Sequence, residues 1–232
     1  MVAVSILTPV YNGVEYLEEC VKSVLEQTFN DWELLIGING HGTNGGEAAI
    51  IAQQLATDPR IRVIVQPPPL TGKVESLHHL LSLSSAPWIA VLDCDDKWEP
   101  LKLERQLNAI QSDAQHADVI GTYCRYFGHR DNWISLPTGY VDPTILLDYN
   151  PIINSSALIK KERCTWKYTD INYGVEDFDL WMNICLEGGQ LYNIPEYLTW
   201  HRIHPTSAFN SKGYSDEAIR KQYAVLYKIS GV

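Results

Sequence analysis

Four short apolar runs alternate with segments of helical periodicity in the first 100 residues, and this alternation constrains the fold more than any other feature. The runs are VAVSILT, WELLIGI, IRVIV and WIAVL. They are almost continuously apolar rather than alternating, which is typical of strands buried on both faces. Repeated strand–helix units of this kind predict an α/β fold with a central, mostly parallel sheet flanked by helices.

The second half of the chain is less regular. Its patterns predict strands in ADVIGTY and SSALIK, a short helix in DPTILLDY, a helix over VEDFDLWMNICLEG and a last helix from about Asp216 to Tyr227. No stretch has the composition of a linker. We therefore predict one domain over residues 1–232, with a mixed C-terminal half.

Composition excludes several classes of protein. The net charge of −10 argues against general attraction to nucleic acid or anionic lipid. No apolar run approaches the roughly 18 residues of a membrane span, and the N-terminus lacks the build of a signal peptide. The 5 cysteines are odd in number and form no C-x-x-C pair, which disfavours a disulfide framework or structural zinc. We expect a cytoplasmic protein, soluble or peripheral.

A glycine-rich turn, GHGTNG at residues 40–45, contains the pattern G-x-G-x-x-G. In a dinucleotide-binding fold this pattern occupies the first strand–helix turn, whereas here it follows the second strand. The pattern alone is weak, because any glycine-rich turn can contain it. The local sequence leaves open whether this is a phosphate-binding turn or a flexible loop.

Three carboxylates, Asp93, Asp95 and Asp96, follow the fourth strand. Ligands of α/β sheets bind off the carboxyl ends of strands, and clustered carboxylates repel each other unless a cation or hydrogen-bond donors lie among them. Such oxygen donors suit Mg²⁺ or Mn²⁺, with water and substrate phosphates completing the coordination. The alternative is a turn that caps a helix beginning near Glu99-Pro100.

Four segments resemble the family 2 glycosyltransferases, which have the GT-A fold, in the order and at the separations usual in that family. They are VSILTPVYNGVEYLEECVKSVLEQTFNDWELL, LDCDDKWEPLKLERQ, VEDFDLWMN and WHRIHPTS. The resemblance implies transfer of a sugar, with inversion, from a nucleotide-diphosphate donor to a hydroxyl of a glycan or other acceptor, as in polysaccharide biosynthesis. It implies Mn²⁺ or Mg²⁺ as cofactor and leaves a homo-oligomer open. Residues of about 1–100 would bind the nucleotide, and about 101–232 would bind the acceptor and supply the base.

The resemblance also assigns a donor site. Its donor-binding residues are Pro9, Tyr11, Asn39, Lys73, Asp93, Cys94, Asp95 and Arg202, and its metal ligands are Asp95 and His204. By the same match Tyr11 packs on the base, Asp93 meets the ribose and Lys73 reaches the diphosphate. The family often has an arginine where Leu77 stands, so a solvated lysine remains the alternative for Lys73.

The glycine turn is explained by the same resemblance. The family commonly has V-D-D-G-S here, and Ile38 and Asn39 occupy its two acidic positions, followed by Gly40. The segment is therefore predicted to be an altered base loop, and the dinucleotide interpretation is rejected. An amide at Asn39 can accept from the N3–H of uracil, which favours a UDP-sugar, with dTDP- or GDP-sugars as alternatives.

The match to VEDFDLWMN implies that Asp177 is the catalytic base and that Glu176 orients either this base or the acceptor. A base must accept the proton of the acceptor hydroxyl, and a carboxylate can do so. The alternative is that these acids only complement the dipole of a helix N-terminus. Arg202 and His204 match the family's R-x-H element, which lies over the donor diphosphate.

Two further questions stay open at this level. A catalytically silent relative that binds a nucleotide sugar or glycan is the alternative function, although the intact Asp93, Asp95 and Asp177 speak against it. The basic residues Lys160, Lys161 and Arg163 form a solvated surface by default, or else bind an anionic acceptor or lipid headgroup.

Overall fold

The computed structural model describes residues 2–43, 45–66, 68, 70, 72–168, 174–205 and 217–230. The first half forms the predicted strand–helix units. Its strands are β1 (Val4–Val10), β2 (Trp32–Asn39), β3 (Ile61–Gln66) and β4 (Trp88–Val91), and its helices are α1 (Leu17–Leu25), α2 (Gly46–Leu55) and α3 (Lys73–Leu83). These four strands are parallel neighbours, and β1 and β2 are buried along their whole length.

The second half adds short strands and turns around two longer elements. Its strands are β5 (Lys97–Trp98), β6 (Val119–Gly128), β7 (Asn132–Ile134), β8 (Gly139–Tyr140), β9 (Leu158–Lys160) and β10 (Leu191–Ile203). Its helices are α4 (Lys102–Gln111), α5 (Glu176–Leu186) and α6 (Glu217–Ser230). The short helix predicted in DPTILLDY is a 3₁₀ turn over Pro143–Leu147, whose first amide is capped by the Asp142 carboxylate. Strands β5, β7, β8 and β10 were not predicted.

The ten described strands form one sheet, in which eight follow the order β3-β2-β1-β4-β9-β6-β10-β5, while β7 pairs with β6 and β8 pairs with β10. Strand β9 runs antiparallel to β4 and β6, β10 runs parallel to β6, and β5 runs antiparallel to β10. The strand order reverses between β1 and β4, because β2 and β3 lie on one side of β1 and β4 lies on the other. Ligands of α/β sheets bind in the crevice at such a switch point.

Two apolar clusters hold helices on the two faces of the sheet. Alternate residues of β1 divide between them, with Ile6 on the face covered by α1 and Leu7 on the face covered by α3. Trp181 of α5 is fully buried and Trp98 is 4% exposed, so both tryptophans belong to the core. Among the described residues, no helix is long and apolar enough to cross a membrane.

Candidate active site

The loop after β1 lies against the glycine turn. The Tyr11 ring, 54% exposed, lies over Gly40, whose φ of 79° puts it in the left-handed region. Any side chain at position 40 would collide with that ring. The His41 imidazole Nε2 lies 2.7 Å from the Tyr11 carbonyl oxygen, which ties the two loops together. Pro9 is buried within β1 beside Gly37 of β2.

Asn39 ends β2 and lies behind this surface. Its side chain is 1% exposed, and its Nδ2 donates to the carbonyl oxygen of Gly72 at 3.3 Å. Gly72 immediately precedes α3, so this bond joins the end of β2 to the start of that helix. A contact between Asn39 and a base, as the sequence suggests, would have to form beside this bond or replace it.

The acidic turn after β4 brings its carboxylates together. The Asp96 amide donates to the Asp93 carbonyl at 3.0 Å, which closes a tight turn. We call Asp93, Asp95 and Asp96 the β4 cluster. The Asp93 carboxylate accepts from Lys73 Nζ at 3.0 Å and from Asn154 Nδ2 at 3.1 Å. Although burial acts to raise it, these two donors hold the pKa of Asp93 below its usual range.

The other two acids of the β4 cluster meet β10. The His204 imidazole Nε2 lies 2.9 Å from Asp95 Oδ2, and His201 Nδ1 lies 2.9 Å from Asp96 Oδ2. Burial and the carboxylates of Asp96 and Asp93 raise the pKa of Asp95 to about 6. Although burial acts to lower it, Asp96 raises the pKa of His201 to about 9. His201 is therefore a cation at neutral pH and neutralises Asp96.

This arrangement contradicts the helix-capping alternative. Helix α4 begins at Lys102, its cap position is Leu101, and no side chain caps it. Strand β5 separates it from the acidic turn.

Cys94, predicted at the donor, points into the protein instead, is 6% exposed and donates its thiol to the Asn12 carbonyl at 3.0 Å. Only the backbone of Cys94 is thereby left to face a donor.

The carboxylates at the start of α5, which we call the α5 cluster, are Glu176, Asp177 and Asp179. Glu176 is 6% exposed and Asp177 is partly buried, with Asn150 Nδ2 donating to its Oδ2 at 3.1 Å. Burial and the adjacent Glu176 raise the pKa of Asp177 to about 6. A carboxylate with such a pKa can accept a proton near neutral pH.

Lys73 joins the two clusters. Its Nζ lies 3.0 Å from Asp93 Oδ1 and 3.2 Å from Glu176 Oε1. Burial favours the neutral amine, but Asp93, Glu176 and Asp177 together raise the pKa of Lys73 well above its usual value. Lys73 is therefore a fixed cation between the clusters and is not the solvated lysine of the alternative interpretation.

Arg202 is held by α1 and by the acidic turn. Its Nε donates to the Asp95 carbonyl at 2.9 Å and its Nη2 to Glu19 Oε1 at 3.0 Å. The guanidinium carbon lies 4.3 Å from the ring centroid of Tyr16 and 4.2 Å from that of Phe127. This stacking holds a phosphate-binding type of side chain next to the β4 cluster.

Three polar residues of the site were missed by sequence reasoning: Asn150, Asn154 and Glu19. The two asparagines contact Asp177 and Asp93, and Glu19 contacts Arg202. The signal for the asparagines is weak but present, because NPIINSSALIK places amides among buried apolar residues. Glu19 gave no signal, since it is one of several acids on α1.

The three side chains of the basic cluster near residue 160 contact other groups of the protein. Lys160 Nζ lies 3.0 Å from Asp118 Oδ1, and Arg163 Nε lies 3.5 Å from the same oxygen. Lys161 Nζ donates to the Ser84 carbonyl at 2.7 Å. These contacts support a surface role over the binding of an anionic acceptor or lipid.

The donor atoms near Asp95 fit a divalent cation. Three carboxylates share one turn, and burial together with their mutual repulsion raises the pKa of Asp95. Asp95 and His204 offer an oxygen and a nitrogen, a pair compatible with Mn²⁺. Within the described residues, no group of three histidine, cysteine or acidic side chains converges to hold a metal. Water and substrate phosphates would have to supply the remaining ligands.

Comparison with known proteins shows which family the sequence matches. Residues 5–168 match the model of the family described as Glycosyl transferase family 2. TuaG of Bacillus subtilis (strain 168), provisionally named as a teichuronic acid biosynthesis glycosyltransferase, is 36% identical over 90% of this chain and 82% of its own length. The O-antigen biosynthesis glycosyltransferase WbnJ of Escherichia coli is 27% identical over 90% of this chain and 82% of its own length.

Solved structures show the same fold. A fragment of S. aureus TarS in complex with UDP-GlcNAc matches with a TM-score of 0.75 and 16% identity, over 97% of this chain and 66% of that one. The mannosyltransferase PcManGT of Pyrobaculum calidifontis, in complex with GDP-Man and Mn²⁺, matches with a TM-score of 0.62 and 17% identity, over 98% of this chain and 63% of that one. The GT-A fold predicted from the sequence is confirmed.

Proposed function

The chain belongs to glycosyl transferase family 2, and we propose that it moves a sugar from a nucleotide-diphosphate donor to a hydroxyl of a glycan or other acceptor, with inversion. The observation that carries this proposal is the position of Lys73, whose ammonium contacts Asp93 at one end and Glu176 at the other. Lys73 thereby connects the acidic turn after β4, which suits a nucleotide diphosphate, to the start of α5, where the Asp177 carboxylate is suited to act as a base.

The reaction is a single displacement. The acceptor oxygen forms a bond to the anomeric carbon while the bond from that carbon to the diphosphate oxygen breaks, and the hydroxyl proton passes to Asp177. Attack on the face opposite the leaving group inverts the anomeric configuration. Asp177 suits this role because its pKa of about 6 leaves it ionised at neutral pH while keeping it basic enough to take a proton.

The donor would lie over the β4 cluster. Asp93 would meet the ribose, Tyr11 the base, and Lys73 and Arg202 the diphosphate, since both cations are fixed close to that cluster. Asp95 and His204 would hold the Mn²⁺ or Mg²⁺ ion. When bound, such an ion stabilises the charge that develops on the leaving diphosphate.

The nucleotide and the acceptor are proposed more coarsely. TarS and PcManGT were solved with different nucleotide sugars, so the preferred nucleotide has to be inferred from the residues of the base loop in this chain. We propose a UDP-sugar first, because an amide at Asn39, on exchanging its bond to the Gly72 carbonyl for one to the base, would match the uracil edge, with dTDP- and GDP-sugars next. The names of TuaG and WbnJ support a polysaccharide product.

A panel of nucleotide sugars tests the proposal. The unfolding temperature and the rate of donor hydrolysis would be measured for each, with and without Mn²⁺, since a ligand of the native state raises its melting temperature. We expect one donor class to stabilise the protein in a Mn²⁺-dependent way and to be turned over. Binding without any turnover, with or without a glycan acceptor, would instead indicate the catalytically silent relative.

A further inference from the structure

The segment Asn150–Ser156 lies between the two acid clusters and contacts each of them with a side-chain amide. Asn150 Nδ2 donates to Asp177 Oδ2 at 3.1 Å. Four residues further on, Asn154 Nδ2 donates to Asp93 Oδ2 at the same distance, 3.1 Å. One short stretch of backbone therefore touches both the proposed base and the proposed ribose-binding carboxylate.

The local sequence fixes the orientation of the Asn150 amide. Asn150 precedes Pro151, which restricts it to extended conformations. Its Oδ1 accepts from the Ile152 amide at 3.1 Å, as in an Asx turn. Because the oxygen is committed to this turn, the NH₂ group is the part that faces Asp177.

The rest of the segment is anchored to buried elements. The Pro151 carbonyl accepts from Asn193 Nδ2 of β10 at 2.9 Å, and Asn193 is fully buried. The Ser155 carbonyl accepts from the Trp98 indole of β5 at 2.7 Å. The Ser155 hydroxyl also accepts from the Asp93 amide at 3.1 Å. The two asparagines are thus carried on a backbone that the surrounding sheet holds in place.

We propose that Asn150 is a positioning residue for the base, holding Asp177 Oδ2 so that Oδ1 is presented to the acceptor hydroxyl, and that Asn154 holds Asp93 for the donor. The inference rests on the proposed function of the site. Its chemical consequence is specific, because an amide that donates to a carboxylate favours the ionised form. Asn150 therefore keeps the base ready to accept a proton.

Several charged groups face Asp177 and act on it together with this amide. Glu176 precedes it on α5 and Asp93 lies on the β4 turn, and both carboxylates favour the protonated form. Lys73, on α3, favours the ionised form. Asn150 is a neutral donor that, like Lys73, favours the ionised form of Asp177. Removing it should therefore favour the protonated form.

A carboxyl titration tests the inference without any substrate. Protein labelled with ¹³C at the aspartate carboxyl carbons would be titrated by NMR in the absence of metal, with the Asp177 signal assigned from Asp177→Asn. The variant Asn150→Ser keeps a hydroxyl that can cap the Ile152 amide, but it is too short to reach Asp177. We expect the pKa of Asp177 to rise by about one unit, the lower end of the range for a lost hydrogen bond to a charged group.

The matched control is Asn154→Ser, which makes the same change four residues away and should leave the Asp177 titration unmoved. An Asp177 titration that is the same in wild type and in a folded Asn150→Ser protein would overturn the inference. An equal shift in both variants would do so too, because it would indicate general loosening of the segment.

Kinetics then separate the two asparagines. In Asn150→Ser the acid limb of the kcat profile should move to higher pH and kcat should fall, with little change in donor KM. In Asn154→Ser the donor KM should rise with the pH profile unchanged. If the wild type transfers no sugar at all, the proposed function fails, whereas the titration still reports on the Asn150 contact by itself.

Discussion

The β4 cluster and the α5 cluster each gather three carboxylates, but their partners differ. In the β4 cluster every acid meets a basic side chain: Asp93 meets Lys73, Asp95 meets His204 and Asp96 meets His201. In the α5 cluster Glu176 also meets Lys73, whereas Asp177 accepts from the amide of Asn150 and Asp179 accepts from the phenol of Tyr223.

This difference assigns different chemistry to the two clusters. Asp93, which is paired with the fixed cation Lys73, stays ionised, and the crowded carboxylates of this turn attract a further cation, which suits the binding of a metal and, through it, of a diphosphate. An acid with a neutral donor and an acidic neighbour has a raised pKa, which suits proton transfer. Asp93 and Asp177 share Lys73 as a neighbour, yet the pKa of the first is lowered and that of the second is raised to about 6.

The largest effect should come from removing the base. Asp177→Asn should lower kcat by about 10²–10⁴-fold, the range for loss of a general base, and leave donor affinity nearly unchanged. Asp179→Asn is the matched control, because it makes the same change two residues further along α5, at a carboxylate that accepts a hydrogen bond from the Tyr223 hydroxyl. Transfer assays would check both variants. If Asp179→Asn lost activity and Asp177→Asn kept it, the base would be misassigned.

The next effect concerns the β4 cluster. Asp95→Asn should lower the Mn²⁺-dependent affinity for UDP by about tenfold or more, equivalent to about 1.4 kcal/mol, because it removes a charged metal ligand. Asp93→Asn should weaken UDP less, since an amide can still hydrogen-bond a ribose hydroxyl. Calorimetric titrations with and without Mn²⁺ would measure both. An Asp95→Asn protein with unaltered Mn²⁺ dependence would remove Asp95 from the metal site.

The pH dependence should report the α5 cluster when donor is saturating. With a pKa of about 6, Asp177 is mostly ionised at pH 7 and mostly protonated at pH 5. Since the ionised form accepts the proton, kcat should fall about tenfold between these two pH values. Asp95 has a similarly raised pKa, so donor affinity should fall over the same range and must be measured separately. A flat kcat between pH 5 and pH 7 would contradict the assignment.

The donor side of the site was predictable because local sequence determines it. Apolar runs predicted β1 to β4, and the ends of parallel strands meet at one edge, so the turns after β1 and β4 could be placed together. The acidic turn and the start of α5 were recognised from the resemblance. The structure then showed that Lys73 bridges them, a contact between residues that no local pattern connects.

The contribution of the C-terminal half to the donor side was harder to predict. Strand β10 is interrupted by Pro195, and its register against β6 shifts between Ile194 and Thr199, which breaks the periodicity that predicts a strand. Its pairing partner β5 is only two residues long and about a hundred residues away, with Trp200 opposite Lys97. Tertiary pairing of this kind positions the R-x-H element and leaves no local signal.

The orientation of individual side chains could not be predicted from the sequence either. Sequence placed Asn39 at the end of β2 and suggested that its amide meets a base. In the structure that amide donates to Gly72, a carbonyl 33 residues away. Asn150 shows the same limit. Its neighbour Pro151 makes the local turn predictable, but its contact with Asp177 depends on how α5 packs against this segment.

The smallest predicted effect is on stability, and its sign should differ between the clusters. In metal-free protein without donor, Asp177→Asn should raise the free energy of unfolding at pH 7 by about 1 kcal/mol, a value reduced for partial exposure, since it removes a carboxylate whose ionised form the fold disfavours. Asp93→Asn should lower it by at least about as much, because Lys73 loses an ion-pair partner. Each change corresponds to about 2–4 °C in melting temperature for a chain of this size.

The pH dependence of this pair gives the sharpest check. Because the pKa of Asp177 is raised above its unfolded value, the cost of its charge is present above about pH 6 and shrinks as the pH falls towards 4. The stabilisation by Asp177→Asn should therefore be seen at pH 7 in thermal melts and be lost near pH 4. If both variants shifted the melting temperature in the same direction at pH 7, the two clusters would be alike electrostatically. The division between a binding cluster and a proton-accepting cluster would then have no physical basis.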